Sequence, residues 1–133
     1  MRVKRRQRTS GNPKDRVAVQ KVAIGLVPPA SIIYQAATMA DGARKYGPYN
    51  WRAEKVKATV YTNAALRHIL AWVDGEDDAR DSQLPHLGHA LASLGILVDA
   101  IEGRTWIDDR PARGPAGACL ERFNNRRKAK VTR

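Results

Sequence analysis

Apolar residues recur three or four positions apart in three stretches of this chain, each bounded by Pro or Gly. The first starts near Ser31, behind Pro28 and Pro29, and carries Ile32, Ile33, Ala36, Ala37, Met39, Ala40 and Ala43 until Gly47-Pro48 ends it. Proline fits there because the first N–H groups of a helix have no partner within it. The second begins near Thr59, a suitable N-cap, and runs through Val60, Ala64, Ala65, Leu66, Ile69, Leu70 and Val73 to Gly75, a suitable C′ residue. In the third, Leu84, Leu87, Leu91, Leu94, Val98 and Ile101 are spaced 3, 4, 3, 4, 3, with Pro85 near the start and Gly103 after the end. The opposite side of that helix carries Ala90, Ile96, Leu97 and Ala100, and Asp99 is the one charge between Gln83 and Ile101. A helix apolar on all sides belongs at the centre of a bundle or in a subunit interface. The pattern predicts an all-α fold, a small helical bundle that is oligomeric, with the leucine stripe as its packing seam.

The 133 residues are 43% hydrophobic and 6% aromatic, which suits one domain and excludes a fibrous or wholly disordered chain. Cys119 is the single cysteine, so neither an intrachain disulfide nor a Cys-rich zinc module can form. The formal charge of +11 divides unevenly: residues 1–10 hold +5, residues 121–133 hold +5, and residues 11–120 only +1. This splits the chain into a basic arm at 1–12, a helical domain at 13–112 and a basic tail at 113–133. The tails are expected to be arm-like or disordered, and contact between them and nucleic acid is a partner expectation. The N-terminal charges are not followed by an apolar signal core, and the longest uncharged stretch, from Val22 to Ala40, contains Pro28, Pro29, Ser31, Gln35 and Thr38. No membrane is therefore expected as a partner, and the expected location is the cytoplasm.

Unusual chemistry gathers in two segments. One is Asp41-Gly-Ala-Arg-Lys-Tyr-Gly-Pro-Tyr-Asn-Trp51; the other, residues 74–82, holds Asp74, Glu76, Asp77, Asp78 and Asp81, five of the chain's 13 acids. All three histidines flank the acidic segment. At about 100° per residue, His86 and His89 lie roughly 60° apart on the side of the third helix away from the leucines, with Ser93 between them. Tyr61, Ala64, His68, Trp72 and Gly75 share one sector of the second helix, so His68 lies on the line to Glu76. The two helices can close around one polar pocket with carboxylates at its mouth. Such carboxylates suit Mg²⁺ or Mn²⁺, which prefer oxygen donors and keep waters for phosphates to replace. Glu76 and Asp77, with Asp81 or Asp99, are the expected metal ligands; His68, Glu76, His86 and His89 are the expected catalytic residues. Lys45 and Arg67 are expected to bind phosphate, and Tyr46, Asn50 and Trp51, with Tyr49, to hold a base by stacking and edge recognition. The ordinary alternatives are a solvated acidic turn, core histidines and a surface pair of Lys45 with Asp41 at i, i+4. There is no P-loop, no Gly-x-Ser-x-Gly elbow and no His-Asp dipeptide of metal-dependent phosphohydrolases.

Taken together, Val27-Pro-Pro, Asp41 to Trp51, Ala65-Leu-Arg-His68, Gly75-Glu-Asp77, Asp81-Ser82, His86-Leu-Gly-His89 and Ile107-Asp-Asp-Arg-Pro111 resemble the phage and prophage dATP/dGTP diphosphohydrolases (MazZ). These are MazG-like members of the all-α nucleoside triphosphate pyrophosphatase superfamily. The resemblance covers residues 13–111. It implies a helical homodimer or homotetramer that uses Mg²⁺ or Mn²⁺ to hydrolyse dATP or dGTP between the α and β phosphates, serving nucleotide-pool control in a phage-infected cytoplasm. The Glu-x-x-Glu and Glu-x-x-Asp pairs of the wider superfamily do not occur in the matching helices, where the third helix has His86-x-x-His89 instead. The competing reading is a nucleic-acid-binding helical protein that works through its basic arms.

Overall fold

Two prolines start the main body: Pro28 stands as the N-cap and Pro29 as the first residue of a long helix, with Gly47 (φ 84°) ending it in a conformation L side chains disfavour. The computed structural model describes residues 11–131, except the side chains of residue 127 and residues 129–131. The elements in chain order are α1 (Pro13–Ala18), a 3₁₀ turn (Ile24–Leu26), α2 (Pro29–Tyr46), α3 (Asn50–Ala53), β1 (Val56–Lys57), α4 (Ala58–Val73), α5 (His86–Glu102), β2 (Trp106–Ile107) and α6 (Ala116–Val131). The N-terminal charges Arg2 to Arg8 lie outside the described residues. Helix dominates, as the periodicity predicts. Among the described residues, no helix is long and apolar enough to cross a membrane.

α5 is the central element. α4 packs along one side of it and α2 along another, with α3 and β2 touching its C-terminal half. His68 meets His86 at one end of the α4–α5 pair, while β1, just before α4, pairs in parallel with β2, just after α5. The two helices are therefore antiparallel. Trp51, Val56 and Ala100 form the buried cluster, with Met39, Tyr61, Ile96 and Trp106 packed against it.

The packing seam differs from the expected one. His86, Gly88, Ala90, Ala92, Leu97 and Ala100 are the buried positions of α5, whereas Leu94, Val98 and Ile101 of the leucine stripe are 43%, 61% and 39% exposed. Small residues win the interior because they let helix backbones approach closely. A Cβ on Gly88 would lie 2.6 Å from Thr38 Oγ1 and 2.8 Å from the Tyr34 carbonyl oxygen.

Two local readings are also corrected. Thr59 does not cap α4: its N–H donates to Asp109 Oδ1 (2.9 Å) and its hydroxyl to Asp109 Oδ2, so the cap comes from a residue fifty positions away. The chain after Pro115 is a helix, α6, where a disordered or arm-like tail was expected.

Candidate active site

A cavity of about 830 Å³ opens between α2, α4 and α5, with α3 at one end. Each helix presents one sector to it. From α4 come Val60, Tyr61, Ala64 and His68, and from α5 come His89, Ala92, Ser93 and Ile96. The helical sector Tyr61-Ala64-His68 read from the sequence thus faces the cavity as a unit. Polar groups collect where the acidic turn arrives, namely Asp41, Lys45, His68, Asp81 and His89; aromatic rings collect toward α3, namely Tyr46, Tyr49, Trp51 and Tyr61.

The histidines form a connected cluster. His68 stacks on His89 with ring centroids 4.5 Å apart and planes within 9°, and its Nδ1 lies 2.8 Å from Nδ1 of His86. His86, buried, places Nε2 3.3 Å from Glu76 Oε2. A carboxylate can only accept, so the neutral form of His86 donates its Nε2–H to Glu76 and offers Nδ1 as an acceptor. With His86 in that form, the one hydrogen between the two Nδ1 atoms belongs to His68, whose Nε2 then carries the lone pair. Burial, and next the positive forms of His89 and His86, hold the His68 pKa below its ordinary value, so the ring is neutral at pH 7. His89 is lowered chiefly by burial, against the opposing pull of Asp81 and Asp41. Its Nε2 lies 2.7 Å from the Ser82 hydroxyl, which also accepts the Leu84 N–H.

The charged groups are largely engaged. Lys45 Nζ sits 2.9 Å from Asp41 Oδ2, so the surface-type pairing at i, i+4 does form, though at the cavity wall. That bond lowers the Asp41 carboxyl and raises the Lys45 amine. Glu76 is held below the usual carboxylate range by the His86 hydrogen bond and then by Arg80 at 2.9 Å. Asp81 is lowered by the backbone N–H of Ser82. Asp99 is pushed down to about 2 by Arg52 and then by the Trp51 indole, whose Nε1 donates at 2.7 Å.

The predicted residues are thus only partly brought together. His68, His89, Lys45, Asp81, Tyr46, Asn50 and Trp51 line the cavity; Glu76 and His86 stand directly behind His68. Arg67 is not among the lining residues, because one step along α4 turns it about 100° from His68. Asp77 lies on a different, smaller cavity with Tyr34, Trp72, Asp78, Pro85 and Leu87, and gives its carbonyl to the His86 N–H. Trp51 is buried and tied to Asp99, so it forms a wall and not a free stacking face. Among the described residues, no three His, Cys, Asp or Glu side chains converge as metal ligands. Glu76, Asp41 and Asp99 each pair with a cationic side chain, and of the expected ligands Glu76, Asp77 and Asp81 only Asp81 lines the main cavity. Sequence reasoning missed Ser82 as a partner of His89 and Arg52 as the clamp on Asp99. Neither has a sequence signal, since each contact depends on how a turn folds back.

Residues 11–110 match the family described as dATP/dGTP diphosphohydrolase, N-terminal. A dATP/dGTP diphosphohydrolase of Salmonella phage PMBT28 is 29% identical over 90 residues, which are 68% of this chain and 30% of that protein. The chain therefore spans about a third of its relative's length. No solved structure matches it.

Proposed function

Because the chain belongs, over residues 11–110, to the dATP/dGTP diphosphohydrolase family, we propose that its cavity binds a purine deoxynucleoside triphosphate and hydrolyses it to the monophosphate and pyrophosphate. The observation that carries this reading is the placement of His68: it lines a cavity that Lys45 also lines, and its Nδ1 lies 2.8 Å from His86, which Glu76 meets from the other side. His68 Nε2 takes a proton from water as the water oxygen attacks the α phosphorus. The bond from that phosphorus to the bridging oxygen breaks, and the oxygen leaves with pyrophosphate. Lys45 faces the phosphate oxygens, and binding there exchanges part of its pairing with Asp41 for the substrate's charge. Tyr46, Tyr49 and Tyr61 flank the base, and Asn50 supplies an amide for its edge. The reaction would serve control of the purine deoxynucleotide pool.

The test is direct. The purified chain is incubated with each of the four dNTPs and with GTP, in Mg²⁺, in Mn²⁺ and in EDTA, and the products are separated by ion exchange. Release of pyrophosphate with dAMP or dGMP supports the reading. The three conditions decide whether a cation is needed. Release of triphosphate would move the attack to the ester side of the α phosphorus, and no turnover with any nucleotide would end the reading.

We propose further that the working form is a homo-oligomer. Leu66, Leu70 and Val73 on α4 and Leu94, Val98 and Ile101 on α5 are between 39% and 68% exposed. On both helices they point roughly opposite to the cavity-lining residues, by helical angle. A second copy seated on this two-helix face would bury apolar surface without closing the cavity.

A further inference from the structure

The positive charge of this protein is segregated from its candidate active site. Residues 11–110 contain twelve basic and twelve acidic side chains, and so carry no net charge, although their proposed substrate is a polyanion. The excess lies outside that segment. Within the described residues it comes from Arg113 and, for the most part, from α6, a 16-residue helix whose sequence has Arg122, Arg126, Arg127, Lys128 and Lys130 against Glu121. Among the described residues, α6 is not one of the elements packed extensively against another, and it gives no residue to the cavity. Leu120 and Phe123 on it are 63% and 55% exposed, and Arg122 lies over the Phe123 ring at 5.4 Å.

A helix of this length that gains little from tertiary packing is marginal in water. Arg122 and Arg126, one turn apart, make it worse by like-charge repulsion at i, i+4. Both costs fall when the cations meet a polyanion. Substrate steering does not explain the placement, because the charge is on a helix apart from the cavity. A membrane surface does not fit either: the large apolar side chains described on α6 are Leu120 and Phe123, too narrow a stripe for interfacial insertion. A helix about 24 Å long that carries Arg122 and Arg126 on one side and, by helical angle, Lys128 on another fits a nucleic-acid groove, where cations reach phosphates on both walls.

We propose that α6 is a nucleic-acid-binding element which attaches the nucleotide-hydrolysing domain to the phosphodiester backbone of DNA, without sequence preference. The experiment uses the full chain and its Arg122→Ala/Arg126→Ala/Lys128→Ala variant. Fluorescence anisotropy with labelled duplex and labelled single strand is followed between about 50 and 200 mM salt. Binding by the wild type weakens steeply with salt. In the variant, affinity falls roughly 10- to 100-fold at the upper end, and the slope of log K against log salt becomes shallower by about 3. Circular dichroism checks the fold of the variant, and its dNTP hydrolysis should equal that of the wild type. The proposal is overturned if the wild type binds neither nucleic acid at low salt, if the variant binds as tightly as the wild type, or if anionic phospholipid vesicles bind α6 while duplex and single strand do not. A preference for one nucleic acid over the other supports it and names the form bound.

Discussion

His68 concentrates the chemistry proposed for this site. Replacing it with Gln keeps volume and polarity but removes the free imidazole nitrogen, so turnover should fall by about 10²- to 10⁴-fold with binding nearly intact. Pyrophosphate release under saturating dATP or dGTP measures this. Arg67→Ala, one residue away but outside the cavity, should leave turnover within about twofold; a loss as large as that of His68→Gln would restore Arg67 to the site. The pH dependence follows from the lowered pKa values of His68 and His89. Both rings are neutral in the fold and have an ordinary value of 6.5. The unfolded chain binds the extra protons first, so stability is full above about pH 6.5 and declines as pH falls below it. Activity should keep its plateau to somewhat below 6.5 and then drop on the acid side, as the base form of His68 is lost. An acid limb starting well above 6.5 would contradict a burial-lowered base. Asp99 acts in a lower range: its contribution is present above about 3.8, its unfolded value, and is lost as pH falls from there through about 2.

At the scale of elements, the contact of α2 with α5 decides the width of the cavity. Gly88 leaves room for Thr38 and for the Tyr34 carbonyl, which is backbone and cannot swing aside. Gly88→Ala should therefore destabilise by about 1–3 kcal/mol, despite the gain in helix propensity. Gly95→Ala meets only the amide end of Gln35, a flexible side chain, and should be nearly neutral. Thermal unfolding of the two variants compares them; equal melting temperatures would remove the close crossing. The N-terminus of α4 supplies another test. Asp109→Ala removes the acceptor for the Thr59 N–H and hydroxyl, and should cost roughly 1 kcal/mol in denaturant unfolding.

The molecule as a whole has a covered face and an uncovered one. Among its described residues no large side chain is fully buried, while the α4–α5 face leaves Leu70 at 64% and Val98 at 61% exposure. Light scattering at micromolar concentration should give a dimer or larger species, and Leu70→Glu with Val98→Glu should convert it to monomer. A wild-type monomer at that concentration would defeat the oligomer. If the cavity faces away from the seam, the monomeric variant should retain most of its turnover.

Periodicity and punctuation were enough to place α2, α4 and α5, because a helix is closed by bonds within its own segment and needs only an apolar stripe, a start and a stop. Helical angle likewise placed Tyr61, Ala64 and His68 on one face, and the quoted motifs carried the family. Tertiary structure alone decided the rest. Alanines and glycines took the interior from the leucine stripe because helix separation is set by the smallest residues at a crossing. Asp109 became the cap of α4, and Ser82 the partner of His89, through contacts between segments that no local rule links. Clustering in sequence brought Glu76, Asp77 and Asp81 within six positions of each other, yet the turn that carries them points Asp77 to another cavity and spends Glu76 on His86 and Arg80. Proximity along a chain fixes composition at a site, but direction is fixed only by the backbone path between the residues.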